Sequence, residues 1–300
     1  MNKIGVLGCG RVGFPLAKTL LDNGYKVNGT SRSLDKILKL SKSGINSYQY
    51  VINQNFNESP FYKSLDLLII TIPFGKNKMK SKSFHEFITQ LVEIVKKESI
   101  KNVIYLSSIS VYGSSNKLSN EKTKCNPISE SAIKILSVEK ILNNGPFKTM
   151  NIRLGGLIGN NIHPIHSISG KEFNKGDQLI NLIHIDDVVG IILKILDRFP
   201  NENNIYNAVS PYHPLKRDYY TLIAKELKIL PPKFIFGERL RKIISNGKDL
   251  DKLIPLAKPR MRLLTDYEKV TNFLFVEKLD INRDSFNSLG LDEISIMKIL

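Results

Sequence analysis

The chain has 300 residues, is 42% apolar, carries a formal net charge of +16 and contains two cysteines, Cys9 and Cys125. That length suits about two domains or one large α/β unit with a lobe, and two cysteines are too few for a disulfide framework or a cysteine-rich metal site. No apolar run reaches the roughly 18 residues of a membrane span, and no basic segment followed by an apolar stretch marks a secretory signal, so a soluble cytoplasmic protein is expected.

The positive charge invites a nucleic-acid partner, because a basic surface attracts phosphate backbones whatever their sequence. The lysines are scattered among asparagines and isoleucines, with no basic tract and no interleaved aromatics. That scatter argues against nucleic acid and fits a compositional bias, while the same field would favour an anionic small molecule or cofactor.

In chain order, an apolar run of Ile4, Val6 and Leu7 ends at Gly8, and Pro15 to Leu21 reads as a helix. Between them Gly8-Cys9-Gly10-Arg11-Val12-Gly13 places a G-x-G-x-x-G in a strand-to-helix turn, the dinucleotide-binding fingerprint. Gly8 permits the tight turn, Gly10 admits a pyrophosphate that a Cβ would exclude, and Gly13 lets the helix pack closely on the strand. The helix start supplies N–H groups and partial positive charge, so Gly8, Gly10, Arg11, Val12 and Gly13 are the expected cofactor contacts. The competing reading is a glycine-rich turn without a ligand. Cys9, at the same helix start, reads as small-residue packing rather than as a stabilised thiolate.

Tyr25 to Thr30 reads as the second strand and Leu34 to Leu40 as the second helix. A chain that prefers NAD usually ends this strand with Asp or Glu, which accepts hydrogen bonds from the ribose 2′-OH. Here Thr30-Ser31-Arg32-Ser33 stands instead, and a guanidinium flanked by hydroxyls suits a 2′-phosphate through charge-assisted bonds. Ser31 and Arg32, with Arg11 in reach, favour NADP over NAD; the alternative leaves Arg32 as a solvated loop residue.

Asn46 to Ile52 and Asp66 to Pro73 read as the third and fourth strands. The fourth is apolar on both faces, as an interior parallel strand should be, and its end puts Thr71 and Pro73 beside the dinucleotide. Lys76 to Ser83 reads as a basic exposed loop, Phe84 to Lys97 as an amphipathic helix and Asn102 to Ser107 as the fifth strand. Strands alternating with helices at this spacing predict an α/β fold built on a doubly wound parallel sheet.

The fifth strand runs into Tyr105-Leu106-Ser107-Ser108-Ile109-Ser110-Val111-Tyr112-Gly113. In this stretch the chain resembles the extended and atypical branches of the short-chain dehydrogenase/reductase superfamily, which include the NAD-dependent epimerase/dehydratases. The resemblance continues through Asn151-Ile152-Arg153-Leu154-Gly155-Gly156-Leu157-Ile158-Gly159, similar to the family's sixth strand and following loop. Asn181-Leu182-Ile183-His184-Ile185-Asp186-Asp187-Val188 is similar to its His-x-Asp-Asp segment. The likeness covers about residues 1 to 210 and fades after about 230. It implies that Ser108 hydrogen-bonds the substrate's reacting hydroxyl or carbonyl, with Ser107 beside the cofactor and Ser110 beside the substrate.

One departure bears on the chemistry. Members that transfer hydride use a Tyr-x-x-x-Lys pair, in which Lys lowers the Tyr pKa and Tyr is the general acid/base. The pair should fall on the helix after Asn126-Pro127. Aligning Glu139 with the glutamate one turn beyond the family's lysine puts Ser131 at the Tyr position and Ile135 at the Lys position. The Tyr-x-x-x-Lys from Tyr212 to Lys216 is interrupted by Pro214 and reads as coincidence. Three explanations stay open. Lys134 reaches the ribose from a neighbouring turn, although one residue rotates a helical side chain by roughly 100°. Tyr112 substitutes as the acid, against its reading as a structural loop tyrosine. Or the protein binds a dinucleotide and catalyses no redox step by this route.

Asn160 to Asp177 carries His163-Pro164-Ile165-His166 and Ser169-Gly170-Lys171. By the resemblance this insertion belongs to a substrate lobe, which makes His163, His166 and Lys171 candidates for binding an anionic substrate. A metal is not expected, since the histidines flank a proline and no third ligand is spaced to join them. His184 reads as an anchor of its segment, with Asp186 and Asp187 capping a helix from Val188 to Asp197. Asn204 to Val209 reads as the last strand and Pro214 as the opening of a helix to about Leu227, with Tyr219 and Tyr220 on the substrate side. Residues 231 to 300, including Asn272 to Val276, suggest no chemistry.

The expected architecture is α/β, a doubly wound parallel sheet (Rossmann-like) with a smaller C-terminal substrate lobe. Residues 1–155 plus about 179–210 would form the dinucleotide-binding domain, and about 156–178 and 211–300 the lobe. The expected function is that of an NAD(P)-binding atypical short-chain dehydrogenase-like enzyme, an epimerase/dehydratase or reductase acting on a nucleotide-sugar or related small anionic substrate. The alternative is a non-catalytic NADP-binding sensor or partner-binding protein. Many relatives pair two helices of each subunit into a homodimer, a surface that one sequence does not display.

Overall fold

The computed structural model describes residues 1–50, 59–73, 81–113, 119–159, 162–211 and 213–235. In chain order its elements are β1 (Lys3–Leu7), α1 (Gly13–Asp22), β2 (Lys26–Ser31), α2 (Leu34–Lys42), β3 (Asn46–Gln49), β4 (Leu67–Ile70), α3 (Ser81–Lys97), β5 (Asn102–Ser108), α4 (Glu130–Asn143) and β6 (Lys148–Leu154). The chain continues with β7 (Gly156–Ile158), α5 (Ile165–Ile168), β8 (Glu172–Phe173), β9 (Leu182–His184), α6 (Ile185–Asp197), β10 (Asn204–Ala208), α7 (Lys216–Glu226) and β11 (Lys233–Phe234). They fall into two units, Met1–Leu154 with Val188–Ala208, and Gly155–Asp187 with the chain from Val209 on.

The first unit holds a seven-stranded sheet in the order β3-β2-β1-β4-β5-β6-β10, parallel throughout. The chain winds outward from β1 to β3, then returns to β4 on the other side of β1 and winds the opposite way. This is the doubly wound Rossmann-like arrangement, and its switch point lies past the carboxyl ends of β1 and β4. β4 reads Leu-Leu-Ile-Ile and is buried at every position, as a central strand covered on both faces must be. α1 turns Leu16, Ala17 and Leu20 inward, the one-turn spacing of a helix packed on a sheet. The other face carries Phe87, Ile88, Leu91 and Val95 of α3 against Leu68, Ile70 and Tyr105.

The second unit pairs β7 with β9 and β8 with β11, both parallel. Its core is Ile158, Ile165, Ile180, Tyr219, Tyr220 and Ile223. Tyr219 and Tyr220, expected on the substrate side, are therefore core residues, because α7 turns this face into the apolar cluster. Among the described residues no helix is long and apolar enough to cross a membrane, and no group of three or more His, Cys, Asp or Glu is placed to hold a metal.

Several boundaries differ from those read in the sequence. α6 begins at Ile185 rather than Val188, and His184 shares its cap with Asp187. His184 Nδ1 accepts the Asp186 N–H at 3.2 Å, and the Asp187 carboxylate takes the His184 N–H in return. That reciprocal pair is a capping box with histidine in the leading place. α7 begins at Lys216 rather than Pro214. A bridge between Leu179 and Leu215, with the Ile180 N–H bonded to the Pro214 carbonyl at 2.9 Å, keeps the preceding residues extended. α3 starts at Ser81, three residues before the expected Phe84. Residues 51 and 52 of the third expected strand, 76–80, Asn160, Tyr212 and 236–300 with Asn272 to Val276 lie outside the described residues.

The start of β1 is tied to the turn before β4 by Asp66, whose Oδ2 accepts the N–H groups of Asn2 at 2.6 Å and Lys3 at 3.0 Å. These two bonds hold its carboxyl below the usual carboxylate range. The contribution is complete above the unfolded value of about 3.9 and is lost as pH falls through the folded pKa. Asp66→Asn should cost about 1 kcal/mol in urea unfolding at neutral pH, the low end for a charged acceptor because the site faces water. It should also flatten the acid limb of stability; an unchanged limb would contradict this assignment.

Candidate active site

The carboxyl edge of the sheet is built around the turn that leaves β1. Gly8 has φ +106°, a region that side chains with a Cβ avoid. Strands on both sides lock it there. The Gly8 N–H donates to Thr30 Oγ1 at 2.8 Å and the Cys9 N–H to the Thr30 carbonyl at 2.7 Å. From β4, the Thr71 hydroxyl lies against the carbonyls of Leu7 and Gly8. A Cβ on Gly13 would stand 2.3 Å from the Gly8 carbonyl oxygen, so only glycine lets α1 start this close to β1. At Gly10 the nearest atom to an added Cβ is 3.9 Å away and the residue is exposed; the protein's own packing does not demand glycine there.

α1 opens at Val12 without a side-chain cap and with no acidic residue in its first turn. Such a start offers N–H groups and partial positive charge to an outside anion. The cradle at Gly10 and the bare helix start together fit a dinucleotide pyrophosphate. Beneath the loop, burial pushes the Cys9 thiol up to about 12, and its sulfur faces the Val6 carbonyl at 3.8 Å. Cys9 is packing.

At the end of β2, Ser31 is nearly buried and its carbonyl accepts the Tyr50 N–H at 2.9 Å. Arg32 and Ser33 are exposed, as is Arg11 in the glycine loop. Ser33 caps α2 without using its side chain, and Asp35 lies in the first turn of that helix. Thr71 spends its hydroxyl on the glycine loop, and Pro73 is exposed two residues further on.

Beyond β5 the structure holds a buried polar network that the sequence did not announce. Glu139 of α4 grips Arg153 of β6 with both oxygens, Nε to Oε1 at 3.0 Å and Nη2 to Oε2 at 2.7 Å. Ser107 Oγ donates to the same carboxylate. Arg153 Nη1 donates to the Tyr112 hydroxyl at 2.8 Å, and that hydroxyl donates to Asn207 Oδ1 of β10 at 2.8 Å. The guanidinium also lies over the Tyr112 ring, 4.9 Å from its centroid. Burial raises the Tyr112 pKa against the lowering effect of Arg153. The Tyr112 proton is thus committed to Asn207, and the Ser107 side chain faces Glu139.

Ser108 differs from both. It starts a 3-10 turn over Ile109–Tyr112, where its Oγ accepts the Ser110 N–H at 3.1 Å. This bond uses the oxygen and leaves the hydroxyl proton for another partner. Ser110 itself is exposed. On α4, Ser129 caps the helix, Lys134 pairs with Glu130 at 2.7 Å and Ile135 packs against the core. The half-exposed Ser131 and the apolar Ile135 occupy the positions where the resemblance calls for Tyr and Lys.

In the second unit His163 is 7% exposed. Its Nδ1 accepts the Ile165 N–H at 3.1 Å, which puts the proton on Nε2, 3.0 Å from the Tyr219 hydroxyl. It braces the short helix α5 against α7 rather than facing solvent. His166 and Lys171 are exposed, the latter with its ammonium on the Ser167 carbonyl at 2.8 Å.

Two measurements follow from these contacts. Arg153→Met leaves the Glu139 carboxylate buried and unpaired and should cost about 3–5 kcal/mol in urea unfolding. Glu139→Leu/Arg153→Met should lose less than Arg153→Met alone; a strictly additive loss would show that the two groups do not interact. Burial pushes the His163 pKa down to about 4, below the unfolded value of about 6.5. Its neutral form therefore stabilises the fold fully above the unfolded value, and this contribution declines as pH falls toward 4. His163→Gln should lower stability at pH 8 and remove part of the decline between pH 6.5 and 4, and an identical decline in both proteins would contradict the assignment.

Comparison with known proteins places these features in a family. Residues 82–208 match the model of the NAD dependent epimerase/dehydratase family, and residues 3–126 match the NAD binding domain of 6-phosphogluconate dehydrogenase. Protein YeeZ of Escherichia coli (strain K12) is 31% identical over 239 residues, 78% of this chain and 87% of YeeZ. Among solved structures, UDP-glucuronic acid 4-epimerase from Bacillus cereus in complex with UDP-glucuronic acid and NAD has a TM-score of 0.64 at 20% identity, over 78% of this chain and 86% of that one. A functionally unknown conserved protein from Silicibacter pomeroyi has a TM-score of 0.62 at 19% identity, over 79% of this chain and 82% of its own. With the epimerase/dehydratase model matched over residues 82–208 and a 31% identical relative matched along most of its length, the chain belongs, with YeeZ, to the NAD-dependent epimerase/dehydratase family.

Proposed function

We propose that this protein is an NADP-dependent epimerase/dehydratase or reductase that acts on a nucleotide-sugar or a related small anionic substrate. The observation that carries the reading is the bare start of α1 behind the exposed Gly10, a cradle with no internal use. The Gly8, Cys9 and Gly10 N–H groups are bonded within the protein, so those of Arg11, Val12 and Gly13 at the helix start would hold the pyrophosphate. Ser31, Arg32 and Ser33, with Arg11, would hold the 2′-phosphate, and this strand end carries no carboxylate to receive a ribose 2′-OH. Asp35 opposes that charge from the next helix, so the arginines are needed to outweigh it.

When bound, the nicotinamide supplies a hydride donor and acceptor. The chain's own contribution at the reacting centre is Ser108, whose free proton would polarise a substrate hydroxyl or carbonyl. Tyr112 donates a proton only by surrendering its bond to Asn207, which makes it a costly acid. Thr71, Pro73 and Ser107 serve the cofactor indirectly in this reading, by shaping the edge, and Ser110 borders the substrate. In the second unit, the proposed substrate lobe, His166 and Lys171 are the side chains offered to an anion; His163 is structural. The related Bacillus cereus enzyme, whose complex holds UDP-glucuronic acid and NAD, supports the substrate class.

A second reading, a non-catalytic NADP-binding sensor, is favoured by Ser131 and Ile135 at the expected Tyr and Lys positions and by the committed Tyr112. Titration with NADPH and NADH, wild type beside Arg32→Ala, tests the cofactor. The variant should lose about 10- to 100-fold for NADPH, the worth of a charge-assisted phosphate contact, and little for NADH. Equal loss for both cofactors, or none, would refute the 2′-phosphate assignment. Incubation with stereospecifically deuterated NADPH and a panel of oxidised nucleotide-sugars then separates the readings: deuterium in product supports the enzyme, and binding without transfer supports the sensor.

A further inference from the structure

The lysines that lie scattered along the sequence are gathered by the topology. All strands of the sheet run parallel, so all begin on one edge, opposite the edge that carries Gly8, Ser31 and Ser108. Lys26 opens β2, Lys3 opens β1 directly across from it, and Lys63 lies in the turn before β4. Lys101 immediately precedes β5, and Lys148 opens β6. In the spatial order β2-β1-β4-β5-β6 every strand brings a lysine. At about 4.8 Å per strand the row is roughly 19 Å long. Lys26, Lys63, Lys101 and Lys148 are exposed, and Lys3 rests its ammonium on the Lys63 carbonyl at 2.9 Å.

Lys42, Lys96 and Lys97 flank the row at the ends of α2 and α3, where they complement helix dipoles. That account does not extend to the strand lysines. Lys3 opposite Lys26 is a like-charge cross-strand pair, an arrangement that costs stability. Among the described residues the carboxylates on this edge are Asp22, Asp66, Glu98, Asp197 and Glu202. Asp66 turns one oxygen to backbone N–H groups and lies within the field of Lys101, and Asp197 pairs with Lys194.

We propose that this edge binds the phosphate backbone of a duplex nucleic acid without reading its bases. A row carried at the starts of five adjacent strands, following the twist of the sheet, can meet several phosphates of a rigid polyanion at once. A lipid surface fits less well. Among the described residues of the first unit, the exposed apolar side chains Leu34, Ile128 and Ile133 lie at or near the starts of α2 and α4, on the opposite edge, Leu38 lies midway along α2, and Met1 alone stands near the lysines. The proposal is independent of the cofactor reading, which concerns the other edge.

The test is fluorescence anisotropy of the full chain with a labelled random 20-base-pair DNA between about 50 and 200 mM KCl. Each neutralised phosphate contributes about −0.9 to the slope of log K against log salt, so the five lysines give an expected slope of about −4.5. Lys26→Gln/Lys63→Gln/Lys101→Gln/Lys148→Gln should weaken binding at least about 30-fold at 100 mM and flatten the slope to about −1. Lys18→Gln/Lys122→Gln/Lys124→Gln/Lys225→Gln, with the same net charge, should stay within about threefold of wild type. Should the first variant fail to fold, Lys26→Gln/Lys101→Gln is expected to reduce the slope by about 2. Equal losses in the two four-lysine variants, no binding by the wild type at 50 mM, or binding to phosphatidylserine vesicles but not DNA would overturn the proposal.

Discussion

The carboxyl edge depends on one close approach. The α-carbon of Gly13 lies where even a methyl group would come within 2.3 Å of the Gly8 carbonyl, so α1 begins pressed against the end of β1. That contact fixes where the helix start points. Thr30 from β2 and Thr71 from β4 then lock the turn from either side, so three adjacent strands converge on the same few backbone atoms. Gly10 stands apart in this arrangement, since nothing in the protein crowds it. A glycine required by packing and a glycine left with room beside it, three residues apart, is the pattern expected of a loop shaped both by its own fold and by an external ligand.

A second constraint operates further along the same edge. Arg153 and Glu139 are both nearly excluded from water. Their desolvation is offset only because each has several partners: two bonds between them, Ser107 on the carboxylate and Tyr112 under the guanidinium. Asn207 completes the chain from β10. The network joins β5, α4, β6 and β10 and so fixes the 3-10 turn that starts at Ser108. Tyr112 links β6 to β10 through its hydroxyl, and the serine next to the buried one keeps its proton.

The fold was largely legible because its signals are local. An apolar run ending in G-x-G-x-x-G, the wholly apolar β4, and helices between strands at regular spacing each state their own conformation. What escaped the sequence is what depends on distant partners. Tyr112 and Asn207 are 95 residues apart, and Ser107, Glu139 and Arg153 belong to three different elements. An arginine inside an otherwise apolar strand is a usable sign, since such a residue must be paired, but nothing local names its partner. The start of α6 was misplaced because the cap is a histidine, a residue outside the usual capping set. His163 and the tyrosines of α7 were read as facing a substrate because polar side chains in a loop and on a helix do not name their partners, whereas His163 and Tyr219 bond one another inside the second unit and both tyrosines belong to its core. The lysine row has the same origin: it is a property of parallel strand starts, invisible along the chain.

In the proposed function the turn from β1 to α1 and the end of β2 form one dinucleotide site. Amide hydrogen exchange read by mass spectrometry, with and without saturating NADPH, probes both segments at once. New protection is expected in peptides covering Gly8 to Gly13 and Ser31 to Leu34, with the peptides of α3 unchanged. Tight binding of NADPH with protection confined to other segments would contradict it.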